Sequence, residues 1–101
     1  MNKGKIRITS LQKSKDDNSF ILDGAVLVRI TNQGQNYLWI DEQEVLEPGE
    51  SWIEGDLNGP GIHHSYKLQF INNPNPPAAN KPLVYPGNFI NIRVFKRHPN
   101  A

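Results

Sequence analysis

The sequence predicts an all-β domain, and three features carry that expectation. Ten Ile, five Val, two Thr and nine aromatic residues suit pleated, half-buried surfaces, against only four Ala. Eight Gly, eight Pro and twelve Asn are scattered along the chain and leave little room for an amphipathic helix. Short alternating apolar runs recur with turn chemistry between them, which describes an antiparallel β-sandwich of about six to eight short strands. At 101 residues the chain has room for one such domain.

Each element follows from local pattern. Ile6 and Ile8 alternate with Arg7 and Thr9, predicting a first strand over about Lys5 to Leu11. Phe20, Leu22, Val26, Val28 and Ile30 share one face of a strand running to Thr31, with a kink at Gly24; a hairpin at Asp23-Gly24 is the alternative. After the turn from Thr31 to Asn36, Leu38 and Ile40 face one way and Tyr37 and Trp39 the other. Glu47-Pro48-Gly49-Glu50 matches a type II turn, with Gly at the position of positive φ, and leads into a strand from Ser51 to Glu54. Beyond the glycine-rich loop from Gly55 to Gly61, Tyr66, Leu68 and Phe70 alternate with Lys67, Gln69 and Ile71. Residues 72 to 82 hold four Pro and four Asn and predict a long surface loop or partly extended polyproline structure, the segment of the chain most suited to motion. Pro86-Gly87 precedes the last strand, carried by Ile90, Ile92 and Val94, and residues 96 to 101 read as a polar tail.

Composition excludes several functions. The absence of cysteine rules out a disulfide framework, thiolate zinc and thiol catalysis. No apolar run approaches the roughly 18 residues of a membrane helix, and the polar start at Met1 to Lys5 lacks a signal peptide's apolar stretch. The expectation is therefore a soluble, unexported chain.

Charge is segregated beneath a net charge of +1. Residues 1 to 29 carry +3, residues 30 to 56 carry −7 with no basic group, and residues 57 to 101 carry +5 with no acidic group. Asp41, Glu42, Glu44, Glu47, Glu50, Glu54 and Asp56 flank two turns, so several should share one edge and repel each other. Such an edge is either a solvated surface or a docking face for Lys3, Lys5, Lys13, Lys15 or the Arg93, Lys96, Arg97 cluster of a neighbouring copy.

Candidate chemistry is sparse. His63 and His64 are adjacent, and neighbours on an extended chain point to opposite faces, so they cannot readily hold one ion together. The Gly-Pro-Gly-Ile-His-His stretch faintly resembles the cupin metal motif but lacks its one-residue spacing, and no acid follows position 56; neither a metal nor another cofactor is expected. The acids lie mostly on turns, where solvation prevents the pKa shifts that acid-base catalysis needs, so no catalytic residue is assigned. Nucleic-acid binding through Arg93, Phe95, Lys96 and Arg97 is opposed by the acidic middle of the chain. Glycan stacking on Trp39, Trp52, Tyr37 or Tyr66 competes with use of these rings in the core. The contact candidates are Tyr37 and Trp39 as an apolar patch, Trp52, the acids Asp41, Glu42, Glu44 and Glu47, and the bases Arg93, Lys96 and Arg97.

Val28-Arg29-Ile30-Thr31-Asn32-Gln33-Gly34, then Leu38-Trp39-Ile40-Asp41 and Leu46-Glu47-Pro48-Gly49-Glu50-Ser51-Trp52, form a strand, Asn-x-Gly turn, strand, Pro-Gly-Glu-Ser turn and strand pattern. About a quarter of the chain thus resembles Ig-like and jelly-roll-like β-sandwich modules, among them structural and decoration proteins of tailed-phage virions. The resemblance implies assembly or adhesion with protein partners, either copies of itself or other virion proteins, and transfers no functional residue. A carbohydrate- or ligand-binding sandwich is the alternative. Residues 72 to 82 and the Gly-Pro-Gly-Ile-His-His loop depart from the pattern.

Overall fold

A computed structural model describes residues 5–14, 19–79 and 84–98. It contains eight strands: β1 (Lys5–Ser14), β2 (Ser19–Ala25), β3 (Leu27–Asn32), β4 (Tyr37–Ile40), β5 (Glu44–Leu46), β6 (Ser51–Gly55), β7 (Ile62–Ile71) and β8 (Phe89–His98). They form two four-stranded sheets, ordered β1-β8-β3-β6 and β2-β7-β4-β5. All neighbours are antiparallel. First pairs with last, second with seventh, third with sixth and fourth with fifth, so the chain is one long ribbon of paired strands rolled into a sandwich. That winding is the jelly roll, and it decides between the two sandwich types the sequence left open.

The alternation read from sequence builds the core. Val28 and Ile30 of β3 and Ile90 and Ile92 of β8 meet Leu38 and Ile40 of β4 and Leu68 of β7, all at most 2% exposed. Phe20, Leu22, Leu46 and Tyr66 complete this cluster. Each such aliphatic side chain contributes about 1.5 to 3 kcal/mol relative to exposure, so the inner faces account for the fold without disulfides.

One expected strand is two. The run from Phe20 to Thr31 breaks at Val26, with β2 in one sheet and β3 in the other, and β2 and β3 do not pair as a hairpin. Gly24, at φ 85°, forms a bulge between Asp23 and Ala25 that shifts the register against β7. The side-chain phase resets there, so the successive residues Ala25 and Val26 are both buried. The Val26 N–H donates to the Phe95 carbonyl, and its own carbonyl accepts from the Asp56 N–H, which keeps the crossing backbone satisfied.

Other boundaries also move. β1 continues to Ser14, because its ladder with β8 runs the full length from Lys5 opposite His98 to Ser14 opposite Phe89. The same ladder takes Lys96, Arg97 and His98 into β8, so these residues are strand and not polar tail. The type II turn is present, with Gly49 at φ 91° and the Glu50 N–H donating to the Glu47 carbonyl at 2.9 Å.

The turns at one end of the sandwich are joined by amide side chains. Buried Asn32 donates from Nδ2 to the carbonyls of Asn36 (2.8 Å) and Leu46 (2.9 Å), and its Oδ1 accepts from the Gly34 N–H. Asn73 donates to the Gln35 carbonyl, and its own N–H reaches Asn36 Oδ1. Gln35 donates to the Pro77 carbonyl and accepts from the Gly87 N–H. The described part of the Pro/Asn-rich loop is thus tied to neighbouring turns at Asn73 and Pro77; residues 80–82 lie outside the described residues.

Candidate functional site

The outer face of the β2-β7-β4-β5 sheet carries the aromatic patch expected from alternation. Leu38 and Ile40 face the core, so Tyr37 and Trp39 face outwards and are partly exposed. Register places Ile71 opposite Tyr37, and Val45 opposite Trp39. Ile71 is 37% and Val45 49% exposed, so four apolar side chains from three strands form one strip.

Trp52 is not part of this strip. It lies on β6 in the other sheet, opposite Ile30, and its ring turns inwards against the core. There it helps to line an open cleft of about 480 Å³ between β6 and the β4–β5 and β7 strands. The walls are Ile40 and Ile53 on the apolar side, with Glu44, Glu54, His64 and Tyr66 on the polar side. The Tyr66 hydroxyl donates to Glu54 Oε1 at 2.5 Å across the gap between the sheets. Burial first, then this bond to a carboxylate, pushes the phenol well above its ordinary pKa of 10.0. His64 packs edge-on against Tyr66, with ring centres 4.4 Å apart, and its Nε2 lies 2.7 Å from Asp41 Oδ2. The Trp52 indole N–H is buried and lacks a hydrogen-bond partner, the only such side-chain atom among the described residues. An unpaired buried donor costs about 1 to 3 kcal/mol, a cost that an acceptor reaching this atom would remove.

The acidic segment is partly neutralised within the fold. Asp41 and Glu42 adopt left-handed conformations, φ 52° and 56°, in the β4–β5 turn. Asp41 Oδ1 accepts the Lys67 N–H at 2.7 Å, while Lys67 Nζ reaches Glu42 at 2.5 Å. Asp56 and Glu50 accept backbone N–H groups of nearby residues. Only Glu44 and Glu47 of the seven have no side-chain partner among the described residues. The expected edge of mutually repelling acids is therefore largely a set of local bonds to β7 and to turn backbones.

The basic cluster divides as well. Strand alternation sets Lys96 on the face of β8 opposite to Arg93 and Arg97. Arg97 donates to the Leu57 carbonyl at the end of the sandwich. His63 and His64 diverge, as neighbours on a strand must: His63 Nδ1 lies 2.7 Å from Asp23 on β2, and His64 turns to Asp41. No group of three or more metal-ligating side chains occurs among the described residues.

Sequence reasoning missed the pairing of Glu54 with Tyr66 and the cleft between them. Local alternation puts Trp52 and Glu54 on one face of β6, but that this face looks across at β7 follows only from sheet order. The site and fold together define a small jelly-roll domain with an apolar outer strip and an aromatic-acidic cleft. No family model, curated protein or solved structure matches the chain. No helix among the described residues is long and apolar enough to cross a membrane.

Proposed function

We propose that this chain is a non-catalytic structural module that assembles with copies of itself, in the setting of a virion. The observation that carries the reading is the strip of Tyr37, Trp39, Val45 and Ile71, an apolar surface contributed by three strands and facing outwards. A second copy suits it because the unpartnered Glu44 and Glu47 border the strip on β5 and the turn after it, while Arg93 and Lys96 lie on the other sheet. Opposite charges from two sheets can then meet when copies pack. The resemblance to virion sandwich modules, and the use of jelly rolls in viral capsids, support this setting by analogy of fold.

Light scattering after size exclusion tests the reading. The wild-type chain is expected as a defined oligomer that loosens at high salt, and Trp39→Ser as a monomer with an unchanged urea midpoint. A wild-type monomer at millimolar concentration, indifferent to salt, overturns it.

The unpaired Trp52 N–H favours a second reading, a hydroxyl-rich ligand such as a carbohydrate in the cleft. Trp39 and Trp52 occupy different sheets, so this reading rests on Trp52 alone. Oligosaccharides should quench the fluorescence of Trp39→Ser, in which Trp52 is the remaining indole; flat titrations across a glycan panel remove it.

A further inference from the structure

The outer face of the other sheet holds a cup that the self-assembly reading touches only through Arg93. The β3–β8 register sets Arg29 directly opposite Arg93 and Thr31 opposite Asn91, and the β3–β6 register adds Ser51 beside Thr31. With Gln33, these side chains line a shallow cup of about 200 Å³ that contains two guanidinium groups, neutral hydrogen-bonding groups and no carboxylate. Arg29 Nε lies 3.4 Å from Ser51 Oγ, which shares a 2.8 Å hydrogen bond with Thr31 Oγ1. Arg93 has no hydrogen bond or ion pair among the described residues. Like charges directly opposite on paired strands destabilise a sheet. Here the repulsion persists although residues 30 to 56 carry seven acids, none of which lines the cup.

We propose that this cup binds a phosphate or sulfate group, free or as an ester on a larger molecule. Two guanidinium forks side by side match the several oxygens of a tetrahedral anion, and the shared negative charge removes their mutual repulsion. The hydroxyls of Thr31 and Ser51 and the amides of Gln33 and Asn91 supply the remaining donors.

The test is an NMR titration of the full chain with sodium phosphate and sodium sulfate, the ionic strength held constant with sodium chloride. Saturable shifts are expected at the Arg29 and Arg93 Nε–H signals and at the amides of Thr31 and Ser51. Arg93→Gln and Arg29→Gln should each weaken binding about tenfold. Arg93→Lys should weaken it too, because a point charge replaces a fork. Lys96→Gln, on the opposite face of the same strand, should leave it unchanged. A phosphate monoester that binds more tightly than inorganic phosphate identifies an esterified ligand; equal or weaker binding identifies the free ion. Shifts that chloride reproduces, or an effect of Lys96→Gln equal to that of Arg93→Gln, overturn the proposal. So does a loss of stability in anion-free Arg93→Gln, since relief of repulsion should leave that variant at least as stable as wild type.

Discussion

At one end of the sandwich Asn32, Gln35, Asn36 and Asn73 direct their amides to the backbone of neighbouring turns, whereas towards the other end Trp52 leaves its indole N–H unpaired beside Glu44 and Glu54. β4 connects the two regions, running from the turn at Asn36 to the turn at Asp41. Both contain buried or half-buried polar atoms, yet only the first satisfies them internally. A polar network that closes on itself locks loops together, and one that leaves a buried donor unpaired in the wall of an open cleft is suited to receive a partner. The difference separates structural polarity from binding polarity in a chain where Asn, Gln and acidic residues are common throughout.

The largest test of that contrast is Asn32→Ala. It strands the carbonyls of Asn36 and Leu46 and the Gly34 N–H, and should cost about 3 kcal/mol, lowering Tm by roughly 10 to 20 °C. A loss below about 1 kcal/mol in urea unfolding means the amide hub does not hold the turns. Gly34→Ala at the same end follows at about 2 kcal/mol, because an added Cβ would sit 2.5 Å from the Gly87 carbonyl oxygen and 2.6 Å from the Phe89 nitrogen. The cleft should respond differently. Trp52→Phe removes a donor that bonds to nothing, so its urea midpoint should imply a change under about 1 kcal/mol while any ligand quenching disappears. A loss comparable to that of Asn32→Ala would mean that Trp52 is simply core.

Tyr66 sharpens the comparison through pH. Its hydroxyl is held protonated in the fold by burial and by Glu54, whereas the unfolded chain titrates near the ordinary value of 10.0. A raised folded pKa contributes stability that is complete below the unfolded pKa and is lost as pH rises beyond it. Wild-type stability should therefore decline above about pH 10, and Tyr66→Phe should decline less steeply over the same range. Chemical denaturation at pH 8 to 11 reads the slopes. The smallest expected effect is Glu42→Gly in the β4–β5 turn. Relief of the left-handed backbone should stabilise by about 0.5 to 1 kcal/mol, offset slightly by loss of the exposed Lys67 pair.

Much of the architecture was legible in the sequence because a strand's side chains alternate with period two. Leu38 and Ile40 inside, Tyr37 and Trp39 outside, and Ile90 and Ile92 at the core follow from local spacing, as does positive φ at Gly49 after Pro48. The break after Gly24 was half legible: the glycine marked a kink, but which sheet each half joins depends on partners over 35 residues away in β7 and nearly 70 away in β8.

The β class, the inward faces of most strands and the turn chemistry were open to local reading, since they depend on residues within a few positions of one another. The jelly-roll order, the separation of Trp39 from Trp52, the cleft bridged by Tyr66 and Glu54, and the alignment of Arg29 with Arg93 emerge with the folded sheets. Those depend on which strands pair and in what register, and pairing is chosen by the burial of whole faces at once, so no local stretch of the chain encodes it.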